Sequence, residues 1–363
     1  MLAGYYDGEM PVSRIPAGRL TDIIYAFGEP GRDDVCHPPD AHQTVAFAQL
    51  RALRAAHPGL RLLVSIGGWG GAPEFSDVAL TPKSRAAFAR SCVNLYVVRP
   101  DFDGIDIDWE FPVHGGVQGN PQRPADKTDV SLLLEELRRA LDAVGAQRHR
   151  HYELTVATPT GRWQTGGAYD PSDSYDLARV ARTVDWLNVM TYDMNNSASP
   201  MSGFNAPMRA DGADPTPALE RRWNCVACAV DYYEMHGVPA GKIVLGMPFY
   251  GLGYIGVSAR NAGRYSRFRQ PFPETPYAAV VSTFLTNPQW QRHWSASAQA
   301  PWLYNAKTHT FFSYDDQRSM AIKAAFVKSR HLRGAMFWVL GEDDKDNSLL
   351  RALSNALTNS QEL

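Results

Sequence analysis

The chain of 363 residues has little net charge and no long apolar segment. Its formal charge at pH 7 is -2, so there is no electrostatic reason to expect nucleic acid or an anionic membrane surface as a partner. No apolar run approaches the roughly 18 residues of a membrane span. The first apolar segment, 1–6, already has the pattern of a strand. It leaves no room for the regions of a signal peptide, so none is expected in this chain.

Cysteine is scarce, with four residues: Cys36, Cys92, Cys225 and Cys228. Cys225 and Cys228 have CxxC spacing, but no second CxxC or nearby histidine pair completes a zinc site. We interpret this pair as small core residues of a buried helix over 223–233, with a local redox or disulfide role as the alternative. The histidines form no HExxH motif, so no catalytic metal is expected.

Apolar runs rich in β-forming residues alternate with helical stretches along the chain. Helical spacing of Leu, Ala, Phe and Val predicts helices over 44–56, 84–98, 130–144 and 348–357. Strands are predicted near 2–6, 23–27, 61–66, 104–108, 153–157, 186–190, 243–247 and 334–338. Eight strands alternating with helices favour an α/β fold, a parallel (β/α)8 TIM barrel. A doubly wound open sheet is disfavoured, because no glycine-rich dinucleotide loop follows the first strand.

The distance between the last two predicted strands is unusually long. Met247 and Gly334 are 87 positions apart, against 37 between Ile66 and Asp103. We therefore predict a small inserted α+β unit over 252–310, with the barrel formed by 1–251 and 311–363. Several aromatic residues are interpreted as packing residues, with lining of a cleft as the alternative: Trp163, Trp290, Trp294, Trp302 and Tyr304.

The most unusual segment is 103–110, which reads Asp-Gly-Ile-Asp-Ile-Asp-Trp-Glu. Its period of two places Asp106, Asp108 and Glu110 on one face of a strand, with the large apolar residues on the other face. Carboxyls about 6–7 Å apart, given roughly 3.3 Å of rise per residue, repel each other. We therefore interpret the run as an active site at the carboxyl end of the fourth strand. Asp103 has the opposite parity and is expected to be structural.

These acids give the chain a resemblance to glycoside hydrolase family 18, the chitinases. Asp103, Asp106, Asp108 and Glu110 match the family signature DxxDxDxE. Six further segments resemble family motifs in the same order along the chain: Gly4-Tyr5-Tyr6, Tyr25-Ala26-Phe27, Ser65-Ile66-Gly67-Gly68-Trp69, Met190-Thr191-Tyr192-Asp193, Gly246-Met247-Pro248-Phe249-Tyr250-Gly251 and Ala335-Met336-Phe337-Trp338. The resemblance therefore covers the whole chain.

The resemblance implies a role for each catalytic residue. Glu110 would protonate the glycosidic oxygen as the general acid. The family is an exception to the usual pair of carboxylates, so the nucleophile would be the 2-acetamido oxygen of the substrate. Asp108 would orient the acetamido N–H, Asp106 would support Asp108, and Tyr192 would donate to the acetamido oxygen. The three acids are expected to titrate as a coupled set.

Further residues are implied to bind substrate or to support the acids. Asp193 would bind a sugar hydroxyl, Trp338 would form the floor of the cleavage subsite, and Trp69 would stack on a neighbouring sugar. Met190 and Phe27 are pocket walls or barrel filling, which the sequence leaves open. Tyr5 and Ser65 would satisfy the buried Asp106 by hydrogen bonding. After Asp193 the chain departs from many chitinases, because it reads Met-Asn-Asn instead of an aromatic residue, His and Gly.

The sequence therefore predicts a chitinase that needs no cofactor and cleaves β-1,4 bonds between N-acetylglucosamine units with retention. Its partner would be chitin or a chito-oligosaccharide, and we expect a secreted monomer because chitin is extracellular. One alternative is an endo-β-N-acetylglucosaminidase acting on glycoprotein glycans, which shares the acidic signature. Another is a chitin-binding lectin on the same barrel. Such lectins lack one of the acids, and all three are present here.

Overall fold

The computed structural model describes residues 1–161 and 169–358. In chain order its strands are β1 Leu2–Tyr6, β2 Asp22–Gly28, β3 Arg61–Gly67, β4 Gly104–Asp108, β5 Glu153–Pro159, β6 Trp186–Met190, β7 Ile243–Pro248, β8 Tyr250–Ile255, β9 Gln270–Pro276, β10 Trp290–Ser295, β11 Ala300–Asn305, β12 Thr310–Ser313 and β13 Gly334–Trp338. Its helices are α1 Ala41–Ala56, α2 Phe75–Val78, α3 Pro82–Cys92, α4 Asp126–Arg148, α5 Pro171–Ser174, α6 Leu177–Thr183, α7 Val226–Met235, α8 Tyr277–Ala279, α9 Gln317–Ser329 and α10 Ser348–Thr358.

Eight of these strands close into a barrel in the order β1-β13-β7-β6-β5-β4-β3-β2. Consecutive strands from β1 to β5 pair in parallel. The predicted (β/α)8 barrel is therefore confirmed, and the open doubly wound sheet is wrong. The predicted strand ranges agree with the observed ones to within two residues at either end. This agreement reflects strands that, apart from the acidic β4, are largely apolar runs, as parallel strands covered on both faces are.

A second, antiparallel sheet lies in the chain between β7 and β13, with the strand order β10-β11-β12-β8-β9. This sheet confirms the inserted unit, whose bounds of 252–310 remain a prediction. Trp302 and Tyr304 are buried in its core. Trp290 stacks on Phe284 at 4.7 Å, and the Arg318 guanidinium lies over the Trp294 ring. These four aromatic residues therefore pack against protein groups, whereas Trp163 lies outside the described residues.

Contacts divide the chain into two compact units. The first comprises Met1–Thr158, Asp170–Val189 and His236–Val244, and the second comprises Pro159–Tyr169, Met190–Met235 and Leu245–Leu363. The first unit holds β1 to β4 and β5 up to Thr158, and the second holds the antiparallel sheet and β13. Within the described ranges, no helix combines the length and the apolar character that a membrane crossing requires.

Polar caps explain why α1 and α3 begin earlier than their apolar periodicity predicts. At the start of α1, the Asp40 carboxylate accepts from the Gln43 backbone N–H and the Gln43 side chain accepts from the Asp40 backbone N–H. Thr81 and Ser84 form the same reciprocal box at the start of α3. Such capping boxes satisfy backbone donors that the first turn leaves unpaired. The apolar pattern starts only after this polar turn, so it underestimates the length of the helix.

All four cysteines are paired in disulfides. Cys36, in the loop after β2, bonds to Cys92 at the end of α3. Cys225 bonds to Cys228 at the start of α7. The interpretation of the CxxC pair as core thiols is therefore wrong, and its disulfide alternative is confirmed.

Candidate active site

Side chains of the acidic run alternate between two faces, apolar on one and acidic on the other, as its period of two predicts. Ile105 and Ile107 are fully buried, and the Trp109 ring stacks on Phe75 at 5.5 Å between centroids. The acids on the other face are also buried, with exposed fractions of 0% for Asp106 and 5% for both Asp108 and Glu110. β4 ends at Asp108, so Glu110 stands two residues beyond the strand and not within it. Burying three acids together demands polar partners.

The register of the parallel sheet supplies two of those partners to Asp106. Ser65 of β3 and Thr155 of β5 lie directly beside Asp106. Residues paired in register point to the same face of a sheet. The Ser65 hydroxyl donates to Asp106 Oδ2 at 2.7 Å, and the Thr155 hydroxyl donates to Oδ1 at 2.5 Å.

Two longer side chains complete the set of donors around Asp106. The Tyr5 hydroxyl donates to Oδ2 at 2.8 Å, and Asn188 Nδ2 donates to Oδ1 at 3.0 Å. Each carboxylate oxygen of Asp106 thus accepts two hydrogen bonds. Tyr5 and Ser65 were expected here from the resemblance, whereas Thr155 and Asn188 were missed. Their sequence signal is a polar residue between two apolar neighbours in a barrel strand.

The pKa values of the two aspartates are raised. Desolvation raises the pKa of Asp106, and its four hydrogen bonds partly oppose this rise. Desolvation also raises the pKa of Asp108 well above its usual value, and the charge of Asp106 adds to the effect. Asp108 Oδ1 is buried and accepts no hydrogen bond from any described residue. Two neighbouring buried acids in this condition ionise together only at high cost.

Two glycines allow the end of β3 to lie against Asp108 and Phe27. Gly67 has φ +116°, and a Cβ there would lie 2.2 Å from the Asp108 carbonyl oxygen. The Gly68 N–H donates to that same oxygen at 2.9 Å. With φ +80°, Gly68 would place a Cβ 2.5 Å from the Phe27 ring. No other residue fits either position without displacing the backbone or that ring.

Trp69 follows these glycines and is 37% exposed. The edge of its ring meets the buried Phe111 at 6.5 Å between centroids. This support leaves part of a flat apolar surface open to solvent, as a sugar-stacking platform requires. Phe27 is half-buried and lines a neighbouring cleft of about 840 Å³ together with Glu29, Arg32, Gly70 and Glu74. The structure therefore places Phe27 in a wall of this cleft.

Asp103 is structural, as its parity predicts. Its carboxylate accepts from Arg54 Nη1 at 3.0 Å and from the Leu62 backbone N–H at 2.8 Å, and it also pairs with Arg150. These contacts join β4 to β3 and to α1. Asp103 therefore takes no part in the cluster around Asp106.

The second unit contains its own cluster of expected site residues. The Tyr250 hydroxyl donates to Asp193 Oδ1 at 2.8 Å, and the Asp193 backbone N–H donates to Asn205 Oδ1 at 2.7 Å. Desolvation raises the pKa of Asp193 to about 7, opposed by the Tyr250 hydrogen bond and assisted by the charge of Glu274. The buried Tyr192 meets the Tyr250 ring edge-on at 6.1 Å. Tyr250 and Asn205 were not predicted as site residues.

Met190 and Trp338 stand at the ends of β6 and β13. Met190 is 5% exposed, and its carbonyl accepts from the Thr160 hydroxyl at 2.7 Å. Trp338 is half-buried, and its carbonyl accepts from the Phe249 backbone N–H at 2.7 Å. Non-proline cis peptide bonds precede Phe27 and follow both Glu110 and Trp338.

The closed (β/α)8 barrel places these carboxylic acids at the carboxyl end of a strand, where the active sites of enzymes with this fold lie. The chain matches the family model of the glycosyl hydrolases family 18 over residues 1–343. It therefore belongs to that family, and the predicted family and enzyme class are confirmed.

Similar proteins include Chitinase A1 of Niallia circulans, 38% identical over 304 residues, which cover 81% of this chain and 42% of that protein. Chitinase B of Serratia marcescens is 31% identical, with coverage of 94% and 78%. A similar solved structure is a family 18 N-acetylglucosaminidase from Paenibacillus barengoltzii, with 31% identity and a TM-score of 0.87. That match covers 98% of this chain and 99% of the other. This chain thus spans less than half of Chitinase A1.

Proposed function

We propose that this chain is a chitinase that cleaves β-1,4 bonds between N-acetylglucosamine units, with retention at C1 and assistance from the substrate. The observation that carries the proposal is the pair Asp106 and Asp108. Four donors hold Asp106, while Asp108 Oδ1 is buried without a hydrogen bond from the described residues. A buried carboxylate in this position suits the N–H of an acetamido group. The similarity to Chitinase A1 and chitinase B supports the same substrate class.

The first step forms an oxazolinium ion. The acetamido carbonyl oxygen of the substrate attacks C1, and the bond between C1 and the glycosidic oxygen breaks. Glu110 transfers its proton to that leaving oxygen. Asp108 accepts a hydrogen bond from the acetamido N–H, which orients the nucleophile and offsets the positive charge that develops on the ring.

The second step restores the enzyme. Glu110, now a carboxylate, removes a proton from water, and the resulting oxygen attacks C1 on the face that the leaving group occupied. The C1–O bond of the oxazolinium ring breaks, and the acetamido group re-forms. Two inversions at C1 give net retention without a protein nucleophile.

The remaining residues are assigned positioning and binding roles. Asp106 holds Asp108 in place and shares a proton with it, because two adjacent buried carboxylates do not both ionise readily. Tyr192 donates its hydroxyl to the acetamido oxygen, and Asp193 binds a sugar hydroxyl. Trp69 and Trp338 contact sugar faces, while Met190 and Phe27 form walls.

Hydrolysis of chitin hexamer, with the anomers followed by NMR in the first minutes, tests the proposal. Initial formation of the β-anomer supports retention, whereas an initial α-anomer contradicts it. An analogue hexamer with amines in place of the N-acetyl groups should not be cleaved, because it lacks the nucleophile. Cleavage of that analogue would contradict assistance by the substrate.

A second candidate is release of single N-acetylglucosamine units from chain ends. The Paenibacillus barengoltzii N-acetylglucosaminidase favours it, because nearly the full lengths of both chains align at 31% identity. The product sizes from the hexamer distinguish the two activities. Dimers and trimers support a chitinase, whereas monomers released one at a time support the second candidate.

We also propose that the protein acts as an extracellular monomer on chitin or chito-oligosaccharides. The disulfides Cys36–Cys92 and Cys225–Cys228 support an oxidising compartment, since disulfides persist mainly outside the cytosol. Detection of both disulfides by mass spectrometry in protein recovered from the culture medium tests this location. Free thiols in protein found only inside the cell would contradict it.

A further inference from the structure

A histidine and two carboxylates lie close together at the amino ends of β5 and β6, the end of these strands away from the acidic run. Nε2 of His151 is 2.9 Å from Asp185 Oδ1 and 3.6 Å from Glu153 Oε2. The three atoms all lie within 4.8 Å of one another. Glu153 begins β5 and Asp185 directly precedes β6, so the cluster bridges two neighbouring barrel strands.

The second oxygen of each carboxylate is held by other groups. Arg61 Nη1 contacts Glu153 Oε1 at 2.6 Å. Asp185 Oδ2 accepts from the Leu154 backbone N–H at 2.8 Å and from Arg138 Nη1 at 3.2 Å. These contacts turn the opposite oxygens, Oε2 and Oδ1, toward the imidazole. Outer hydrogen bonds of this kind orient metal ligands in known metal sites.

The charge of the surrounding ion pairs suits a dication. Arg61 is shared between Glu153 and the buried Asp22. Arg138 is likewise shared between Asp185 and Asp142. These two sets of ion pairs together contain four carboxylates and two guanidinium groups, a formal charge of −2 for this set.

We propose that His151, Glu153 and Asp185 form a binding site for a divalent transition-metal ion, with Zn²⁺ as the best match. Metal bonds of roughly 2.0–2.2 Å in a tetrahedron separate neighbouring ligand atoms by about 3.4 Å. The distances of 2.9 and 3.6 Å from His151 Nε2 lie on either side of this value. One imidazole with two carboxylates suits zinc better than calcium or magnesium, which prefer oxygen ligands alone. Such an ion would tie β5 to β6 at the end of the barrel opposite the acids.

His151 is the second histidine of the sequence His149-Arg150-His151. His149 ends α4 in a left-handed conformation, with φ 53°, and His151 follows just before β5. The turn at His149 thereby brings His151 beside the first residue of β5. Within this HxH pair, the three-residue cluster uses the second histidine alone.

Titration calorimetry with ZnCl₂ on untagged protein, stripped with EDTA and dialysed at pH 7.5, tests the proposal. The expected result is one Zn²⁺ per chain, together with a rise in melting temperature. His151→Ala should weaken binding by at least about 10-fold, and the imidazole is 56% exposed, so folding should survive. The matched control is His42→Ala, another exposed histidine, which should bind like the wild type. Acidification should also weaken binding, because protonation removes the lone pair that the imidazole donates.

Other outcomes would overturn the proposal. Absence of saturable binding up to millimolar Zn²⁺ would show that the cluster is not a site for this ion. Equal affinity in the wild type and His151→Ala would place the metal elsewhere. Circular dichroism shows whether His151→Ala is folded, so that a loss of zinc binding can be distinguished from unfolding.

Discussion

The indole Nε1 of Trp186 donates a 3.0 Å hydrogen bond to the side-chain oxygen of Asn188. This bond fixes the orientation of the amide, so that Nδ2 of Asn188 is directed at Asp106 Oδ1. Both residues lie on β6, two positions apart, and therefore on the same face. Trp186 is a positioning residue that acts on the acidic pair through Asn188.

Replacing Trp186 with Phe should lower kcat about fivefold, as expected from the loss of one hydrogen bond worth about 1 kcal/mol. The pH profile of kcat should shift as well, because Asp106 loses a well-oriented donor, while KM changes little. Trp223→Phe is the control, since that buried indole donates to none of the described residues. If the pH profile of kcat is unchanged in both variants, Trp186 contributes only packing and does not position Asn188.

Glu110→Gln should lower turnover of a chromogenic chito-oligosaccharide by at least about 100-fold, because the amide cannot donate a proton to the leaving oxygen. Binding, measured by calorimetry with the same oligosaccharide, should persist because the shape of the site is retained. Glu9→Gln, at an exposed position, should behave like the wild type. Undiminished turnover in Glu110→Gln would refute the assignment of the acid.

Trp69→Ala should raise KM for chitin hexamer roughly two- to tenfold, the range that corresponds to an aromatic contact of about 0.5–1.5 kcal/mol. A shorter substrate that does not reach this ring should be affected less. Leu80→Ala removes another exposed apolar side chain and should leave both substrates unaffected. An equal change for long and short substrates would indicate loss of stability instead of loss of stacking.

Asp193 makes the stability depend on pH. Its pKa of about 7 in the folded state exceeds the unfolded value of about 3.9. The contribution of Asp193 to the free energy of unfolding is therefore fully present below pH 4 and is lost as the pH rises through 7. The free energy of unfolding of Asp193→Asn, relative to that of the wild type, should therefore be higher at pH 8 than at pH 5. Urea titrations at both values measure this trend, and a difference that is independent of pH would contradict it.

Gly68→Ala should destabilise the protein by about 2 kcal/mol or more, because φ is positive there and the new Cβ would meet the Phe27 ring. Gly70→Ala is a matched control in the same loop, since a Cβ at that position meets nothing within 4 Å. Melting temperatures of the two variants test this expectation. Equal values would show that the Phe27 ring moves aside at little cost.

Much of the fold was predictable because local patterns encode it. The barrel strands are apolar runs separated by amphipathic helices, and that alternation favours one architecture. Starts of helices were less predictable, since the polar boxes at Asp40 and Thr81 precede the apolar pattern. The interpretation of the CxxC pair as core thiols was wrong, because spacing alone does not distinguish a disulfide from two thiols.

The sequence by itself determined the acidic run, the two faces of its side chains and the glycines at the end of β3, because these depend on neighbours along the chain. Only the tertiary structure decided which groups surround Asp106. Its donors come from β1, β3, β5 and β6, whose side chains meet through barrel pairing and register. Only the tertiary structure likewise brings Asp185, before β6, beside His151 and Glu153 at the start of β5. Hydrogen bonds and metal ligands act over about 3 Å, and distances this short between remote residues exist only once the chain has folded.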